Sequence, residues 1–143
     1  MSNSSFITLP ILLGEAQHPV DHHYQITYIL YARDYMEKGV PIPGKCVVVV
    51  TGLGRELIVD CEVTQFIKHG FVPIVYKEDQ SLRKSYLNPL NIKSVRVFLD
   101  SKPQKWMIVM SGINPVSPDK KPYTFITTDD VTKWLPITPR QNG

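Results

Sequence analysis

The stretch Arg55-Glu-Leu-Ile-Val-Asp-Cys-Glu-Val-Thr-Gln-Phe-Ile-Lys-His69 decides the fold class. In a helix its apolar side chains would point in all directions. In a strand, every second residue from Leu57 to Val63 is apolar, which is the period of two typical of a half-buried strand. The sequence therefore predicts a strand over 55–69, with Gly52 and Gly54 as turn residues of a hairpin.

An alternative stays open for the same stretch. If residues 55–69 were a helix after the glycine turn, residues 45–77 would form a βαβ unit of the kind that binds nucleotides, and Lys68-His-Gly70 would be a helix end. The fold class would then be α/β rather than mainly β.

Upstream, residues 22–38 match a helix. Asp21 is a candidate N-cap and Gly39 a candidate C-terminal stop. Between them, aromatic and apolar residues recur at spacings of three to four, as on the buried face of an amphipathic helix. These are Tyr24, Tyr28, Tyr31, Ala32, Tyr35 and Met36.

The rest of the chain reads as short strands. Cys46–Val50 is a β-branched run typical of a buried strand, and Ile92–Leu99 alternates cleanly. Further strands are expected at Phe71–Tyr76, Trp106–Met110 and Tyr123–Ile126. Thr127 and Asp130 resemble a capping box that starts one C-terminal helical turn, which Pro136 stops. The predicted class is thus mainly β (α+β): a small, barrel-like core of bent strands with an N-terminal helix and a short C-terminal helical turn.

Composition sets the bounds on this domain. The chain of 143 residues fits a single domain, 1–143, with tails at 1–5 and 139–143 that are expected to fray. Twelve prolines argue against an all-helical bundle, and the apolar run at 6–13 is too short to cross a membrane. The sequence predicts a cytoplasmic protein without a membrane partner or cofactor, whose Cys46 and Cys61 are buried thiols.

The strand pattern of residues 22–99 resembles that of Sm-like and SH3-like small β-barrels. The stretches that carry the resemblance are Gly54–Leu57, Val59–Phe66, Phe71–Asp79 and Tyr86–Val95. Locally, Arg83-Lys-Ser-Tyr-Leu-Asn-Pro-Leu-Asn-Ile92 is similar to a segment of LytTR-type DNA-binding domains. The first resemblance implies a small β-barrel, and the second implies a module that binds DNA. Sm-like proteins read RNA bases with an Asp and an Asn in one loop, and the comparable stretch here, Phe66–Phe71, has neither.

The second half of the chain is the more basic one, although the net charge is only +3. Aromatic residues interleave its cations, as single-strand binding requires, because phosphates pair with cations and bases stack on rings. The predicted nucleic-acid-binding residues are Arg83, Lys84, Lys93 and Arg96. The simpler interpretation is a solvated strand face above core aromatics.

A protein partner or a second copy of the chain is the alternative ligand. The face formed by Tyr24, Tyr28, Tyr31 and Tyr35 would suit an interface, because a tyrosine buries its ring while its hydroxyl stays hydrated. An exposed strand edge would serve equally well.

Three sets of residues are candidate catalytic or metal-binding sites. His18, His22 and His23 with Asp21 could supply metal ligands, but a solvated loop is the better interpretation, and no metal site is predicted. Cys61 with Asp60 and His69 could be a nucleophile set, although alternation turns Cys61 and Asp60 to opposite faces. Glu62 would matter only in a βαβ fold, as the carboxylate of an N-glycosidase-type enzyme acting on nucleosides. The sequence thus favours a non-enzymatic binding or regulatory module, with nucleic acid ahead of protein as the ligand.

Overall fold

The computed structural model describes residues 5–13, 18–51, 56–78, 80–114 and 117–135. In this part of the chain, strands dominate. They are β1 (Phe6–Ile11), β2 (Val20–Gln25), β3 (Ile29–Glu37), β4 (Val40–Val50), β5 (Glu56–Val59), β6 (Val72–Glu78), β7 (Ser81–Leu87), β8 (Ile92–Phe98), β9 (Lys105–Ile113) and β10 (Pro122–Thr127). Short 3₁₀ helices connect some of them: η1 (Ile26–Tyr28), η2 (Val63–His69), η3 (Pro89–Asn91) and η4 (Val131–Lys133).

All ten strands belong to one antiparallel sheet with the order β2-β1-β5-β4-β3-β7-β6-β10-β9-β8. Its longest pairing is the β3–β4 hairpin, which closes at Glu37↔Val40. The two loop residues, Lys38 and Gly39, both have positive φ, at 50° and 79°. That is the backbone that a tight two-residue hairpin loop requires, since its twist matches that of the strands.

The central strands β3 and β4 are covered on both faces. On β4, Cys46, Val48 and Val50 enter one apolar cluster, while Val49 enters another. This double burial explains why residues 46–50 form an unbroken apolar run instead of alternating.

We call the two clusters the N-terminal core and the C-terminal core. The N-terminal core is built mainly from β1, β3, β4, β5 and η2: Ile7, Leu9, Ile11, Ile26, Ile29, Ala32, Cys46, Val48, Val50, Leu57, Val59, Val63, Phe66, Phe71 and Tyr86. The C-terminal core takes residues mainly from β3, β6, β7, β9 and β10: Leu30, Tyr31, Val49, Ile74, Leu87, Ile108, Met110, Phe125 and Val131.

The sheet curls strongly around the C-terminal core. In the strand order, β7 and β6 lie between β3 and β10, so a flat sheet would hold β3 and β10 about 14 Å apart. Yet the ring centroids of Tyr31 on β3 and Phe125 on β10 are 5.0 Å apart. The curl therefore brings the far half of the sheet over β3.

Two buried asparagines join the two halves of the chain. Asn88 donates from Nδ2 to the carbonyl oxygens of Ile26 (2.8 Å) and Ile29 (2.9 Å). Asn91 donates to the carbonyl oxygens of Thr27 (2.8 Å) and Ile29 (2.7 Å). They add side-chain donors to the carbonyl oxygens where the chain enters β3, and the Ile29 carbonyl accepts from both asparagines.

The predicted N-terminal helix at 22–38 is wrong. These residues form β2, η1 and β3, and Tyr24 pairs with Ile7 across a strand ladder. The tyrosine spacing is also compatible with a helix, whereas the pairing of β3 with β7 is a non-local contact that spacing does not reveal. Gly39 does adopt the left-handed conformation expected of a helix stop, but it uses it in the β3–β4 hairpin.

The deciding stretch divides into two. Glu56–Val59 is a strand, with Leu57 and Val59 buried as the alternation predicted, but Val63–His69 is a 3₁₀ helix that ends at left-handed Gly70. The alternative βαβ unit at 45–77 is also wrong, because β4 and β5 pair antiparallel. The turn glycines Gly52 and Gly54 lie outside the described residues.

The predicted small barrel and the predicted C-terminal helical turn also differ from the structure. Instead of a small barrel, the sheet runs from β2 at one end of its order to β8 at the other, with a core on each side of its centre. The expected C-terminal turn is the three-residue 3₁₀ helix η4, where Asp130 Oδ1 accepts from the Thr132 backbone N–H. The predicted mainly β class is therefore confirmed, and the predicted α-helical elements are wrong. Of the tails expected to fray, only Ser5 is described.

Candidate functional site

A cleft of about 1350 Å³ opens where β6 and β10 separate. Among the described residues, Tyr76↔Thr127 is the only pair in the β6–β10 ladder. On one side of this pair, side chains replace the ladder: Asp129 Oδ2 accepts from the Val75 N–H (2.9 Å), and Thr127 Oγ1 donates to the Val75 carbonyl (2.6 Å). On the other side the two strands diverge, so residues from both faces of β6 and β10 line the cleft.

Aromatic rings form one wall of the cleft. Tyr31 meets the rings of Tyr123 and Phe125 edge-on, at centroid distances of 5.5 and 5.0 Å, and Tyr76 meets Phe125 at 5.0 Å. Burial raises the pKa of Tyr31, Tyr76 and Tyr123 above the ordinary tyrosine value. The Tyr76 hydroxyl bonds to Ser85 Oγ at 2.8 Å. These phenols therefore stay neutral, and their rings are held in a fixed edge-to-face arrangement.

Two arginines line the cleft in different electrostatic states. The Arg33 guanidinium is paired with Glu56, at 2.6 Å between Nη2 and Oε1. Arg83, by contrast, buries its Nε, and this atom has no hydrogen-bond partner among the described residues. A buried N–H without an acceptor costs about 1–3 kcal/mol. The Arg83 side chain as a whole is partly exposed, so a ligand that draws its guanidinium toward the cleft can supply the missing acceptor.

The charge of the cleft is mixed. Lys77 and Lys84 add cations on β6 and β7, whereas Asp34, Glu56 and Glu78 contribute carboxylates. Lys84 Nζ lies 5.5 Å from the centroid of the Tyr86 ring. The cations other than Arg33 are thus on the β6–β7 hairpin.

The four predicted nucleic-acid-binding residues fall into two groups. Arg83 and Lys84 on β7 line the cleft. Lys93 and Arg96 lie on β8, and β6, β10 and β9 stand between β7 and β8 in the strand order. Arg96 rests over the Phe98 ring, 5.2 Å from its centroid, and neither β8 cation lines the cleft. The fold therefore does not gather the four residues on one strand face.

The four tyrosines of the predicted interface occupy different surroundings. Tyr24 packs on the N-terminal core, Tyr31 is buried in the C-terminal core, and Tyr28 is 52% exposed on η1. Tyr35 bonds from its hydroxyl to Glu37 Oε1 at 3.2 Å. Since the helix that would align them is not formed, they do not share one face.

The histidine cluster does not assemble a metal site. His23 Nδ1 shares a hydrogen bond with Thr8 Oγ1 at 2.8 Å, and His22 meets the Tyr24 ring edge-on. Within the described ranges, no three His, Cys, Asp or Glu side chains are placed to hold a metal ion.

The other two candidate sets lie near the β5–η2 connection. Cys61 and His69 line a second, smaller pocket of about 400 Å³ together with Glu62. Glu62 Oε1 accepts from the Gly44 N–H at 2.7 Å, a structural contact between this connection and β4. Because β4 and β5 pair antiparallel, Glu62 does not lie on the helix of a βαβ unit, as a nucleoside-processing role would require.

Sequence reasoning found Arg83 and Lys84 but missed most of the cleft. It assigned Tyr31 to a helix face and did not single out Arg33, Tyr76, Tyr123 or Phe125 as site residues. The only signal of the cleft in the sequence was the presence of aromatic residues in the predicted strands Phe71–Tyr76 and Tyr123–Ile126. Their meeting depends on the curl of the sheet, which no local pattern encodes.

Comparison with known proteins adds no relative: no protein-family model, curated protein or solved structure matches the chain. In the described part of the chain, no helix has both the length and the apolar character needed to cross a membrane.

Proposed function

We propose that this protein is a non-enzymatic binding module that takes single-stranded nucleic acid into the cleft between β6 and β10. The observation that carries the proposal is the buried, unpartnered Nε of Arg83 beside a wall of tyrosine rings. The proposal narrows the site predicted from sequence to Arg83 and Lys84, and it adds Tyr76 and Tyr123.

The chemistry of both groups fits this ligand. A phosphate oxygen is an acceptor for the Arg83 N–H, and a charge-assisted hydrogen bond of this kind is among the stronger ones in proteins. Lys77 and Lys84 on the same hairpin extend the positive charge along a phosphate chain.

Stacking of bases on aromatic rings is the second contribution to the proposed binding energy. Tyr76 and Tyr123 are both half-buried at the cleft, so a base can reach them. A stack of base on aromatic ring is worth about 1–3 kcal/mol and tolerates any sequence. A duplex does not offer free bases to these rings, which favours single strands.

One observation favours a protein partner as the second candidate. Where β6 and β10 diverge, each presents a strand edge to the cleft, and an extended peptide can add to such an edge. Its binding would depend on backbone hydrogen bonds rather than on the charge of Arg83.

Cytoplasmic location belongs to the same proposal. Both cysteines are free thiols. Free thiols fit a reducing compartment, where structural disulfides are rare.

The test is fluorescence anisotropy with labelled single-stranded DNA and RNA of mixed sequence at several salt concentrations. Arg83→Glu and Tyr123→Ala should each weaken binding about tenfold, and affinity should fall as salt rises. Lys93→Glu is the matched control, because it makes the same charge change outside the cleft, and it should change affinity less than about threefold.

Two outcomes would overturn the proposal. Wild-type protein that binds neither oligonucleotide at low salt would leave strand addition as the better hypothesis. Equal losses in Arg83→Glu and Lys93→Glu would mean that the cleft is not the binding site.

A further inference from the structure

The two cysteines lie together at the edge of the N-terminal core. Their Sγ atoms are 3.9 Å apart. Cys46 has no exposed surface, whereas Cys61 is partly exposed. One thiol is thus sealed in the core and its neighbour is open to reagents.

The strand register explains this pairing. Cys46 on β4 stands opposite Val59 on β5, and Cys61 follows Val59 by two residues. Cys46 belongs to the N-terminal core and Cys61 packs against it, so both thiols lie at the same core. Cys61 lies just beyond the end of β5, where the chain turns into η2. A turn residue can shift more easily than a ladder residue, so the sulfurs can approach to bonding distance.

A pocket leads to one thiol only. The cavity of about 400 Å³ is lined by Cys61, Gln65 and His69, and by Thr8 and Pro10 of β1, but not by Cys46. A small solute that enters this pocket therefore meets Cys61 first.

We propose that Cys61 and Cys46 form a reversible, hydroperoxide-responsive thiol pair in which Cys61 reacts first and Cys46 resolves the product. The Cys61 thiolate sulfur attacks one oxygen of a hydroperoxide, the O–O bond breaks, and the other oxygen leaves as an alcohol or water after protonation. Cys61 becomes a sulfenic acid. The Cys46 sulfur then attacks the Cys61 sulfur, the S–O bond breaks, and the oxygen leaves as water with the Cys46 proton. The two thiols lose two electrons to form a disulfide, and the peroxide gains them.

The electrostatics of the pair agree with these roles. A hydrogen bond from Cys46 lowers the pKa of Cys61, while the same hydrogen bond and burial raise the pKa of Cys46. The accessible thiol is therefore the one that more readily carries the negative charge, which is the form that attacks peroxide. The buried thiol keeps a proton to give to the leaving oxygen.

The disulfide would tie β4 to the entrance of η2. Closing the chain between Cys46 and Cys61 removes freedom from the unfolded state, so the oxidised protein should be the more stable form. We expect its thermal midpoint to rise by several degrees relative to the reduced protein.

The experiment treats the reduced full chain with a small excess of hydrogen peroxide and follows the intact mass. Wild-type protein should lose two hydrogen atoms per chain, and dithiothreitol should reverse the loss. Cys46→Ala should instead gain one oxygen at Cys61, which dimedone traps as the sulfenic acid. Cys61→Ser, in which the buried thiol remains, should react far more slowly. Circular dichroism of both variants establishes that they are folded.

Three results would contradict the proposal. One is a wild-type chain that gains oxygen without losing hydrogen. Another is a disulfide that links two chains on a non-reducing gel. The third is a reaction of Cys61→Ser as fast as that of Cys46→Ala, which would show that Cys61 is not the first thiol to react.

Discussion

The N-terminal core and the C-terminal core share β3 and β4 but end differently. The N-terminal core is closed by η2, whose Phe66 is 1% exposed and packs against Phe71 with ring centroids 5.1 Å apart. The C-terminal core is covered in part by η4, through the buried Val131, but its aromatic residues continue into the cleft between β6 and β10. In the closed core the aromatic rings serve packing. In the open one, the rings of Tyr76 and Tyr123 and the Arg83 side chain stay partly exposed, where the proposed ligand can reach them.

The largest expected effect is in the closed core. Phe66→Ala removes a fully buried ring and leaves a cavity, so it should lower the free energy of unfolding by about 3–5 kcal/mol. Tyr123→Ala, at the half-exposed end of the other core, should cost about 1 kcal/mol or less. Urea denaturation of both variants measures the difference. Equal losses would remove the distinction between a closed and an open core.

The next effect tests the junction of the two halves. Asn88→Ala removes two hydrogen bonds, to the carbonyl oxygens of Ile26 and Ile29, and should cost about 1–3 kcal/mol in denaturant unfolding. Asn88→Asp is the sharper variant, because a carboxylate cannot donate to these carbonyls. It should lower the free energy of unfolding at least as much as Asn88→Ala. Tolerance of both variants would mean that the asparagine does not hold β3 and β7 together.

A smaller effect concerns alkaline pH. Burial raises the pKa of Tyr31 in the folded protein above the ordinary value of 10.0. A raised folded pKa means that the folded state holds the proton more tightly. The stabilisation is therefore complete below the unfolded pKa and is lost as pH rises through the folded one.

We accordingly expect the urea midpoint of the wild-type protein to fall as pH rises above about 10, and Tyr31→Phe to flatten that fall. Some fall should remain, because burial also raises the pKa of Tyr76 and Tyr123. Tyr28→Phe changes an exposed ring and serves as the control. Identical pH profiles for Tyr31→Phe and the wild-type protein would contradict the burial of the Tyr31 hydroxyl.

Local pattern accounts for much of the fold. The run Cys46–Val50 and the alternation in Glu56–Val59 and Ile92–Phe98 each identified a strand, because burial on one or both faces leaves its mark on neighbouring residues. Residues 22–38 misled because tyrosines at spacings of three to four satisfy a helix. Their true partners, β1, β4 and β7, lie elsewhere in the chain.

The site was harder to predict than the strands. Arg83 and Lys84 stood out by charge alone, but the rings beside them come from β3, β6 and β10, which meet only because the sheet curls. Lys93 and Arg96 have the same charge and a similar aromatic neighbourhood in sequence, yet they lie on β8. Composition can name the residue types of a binding site, whereas topology selects which of them converge.

Photocrosslinking shows directly whether single-stranded nucleic acid binds in the cleft between β6 and β10. A single-stranded oligonucleotide carrying 5-bromouridine is irradiated with the protein, and mass spectrometry locates the modified residue. We expect crosslinks at Tyr76 or Tyr123 in the cleft, with loss of the signal in Arg83→Glu. Crosslinks concentrated at Phe98 or Trp106 on β8 and β9, or a signal unchanged in Arg83→Glu, would contradict it.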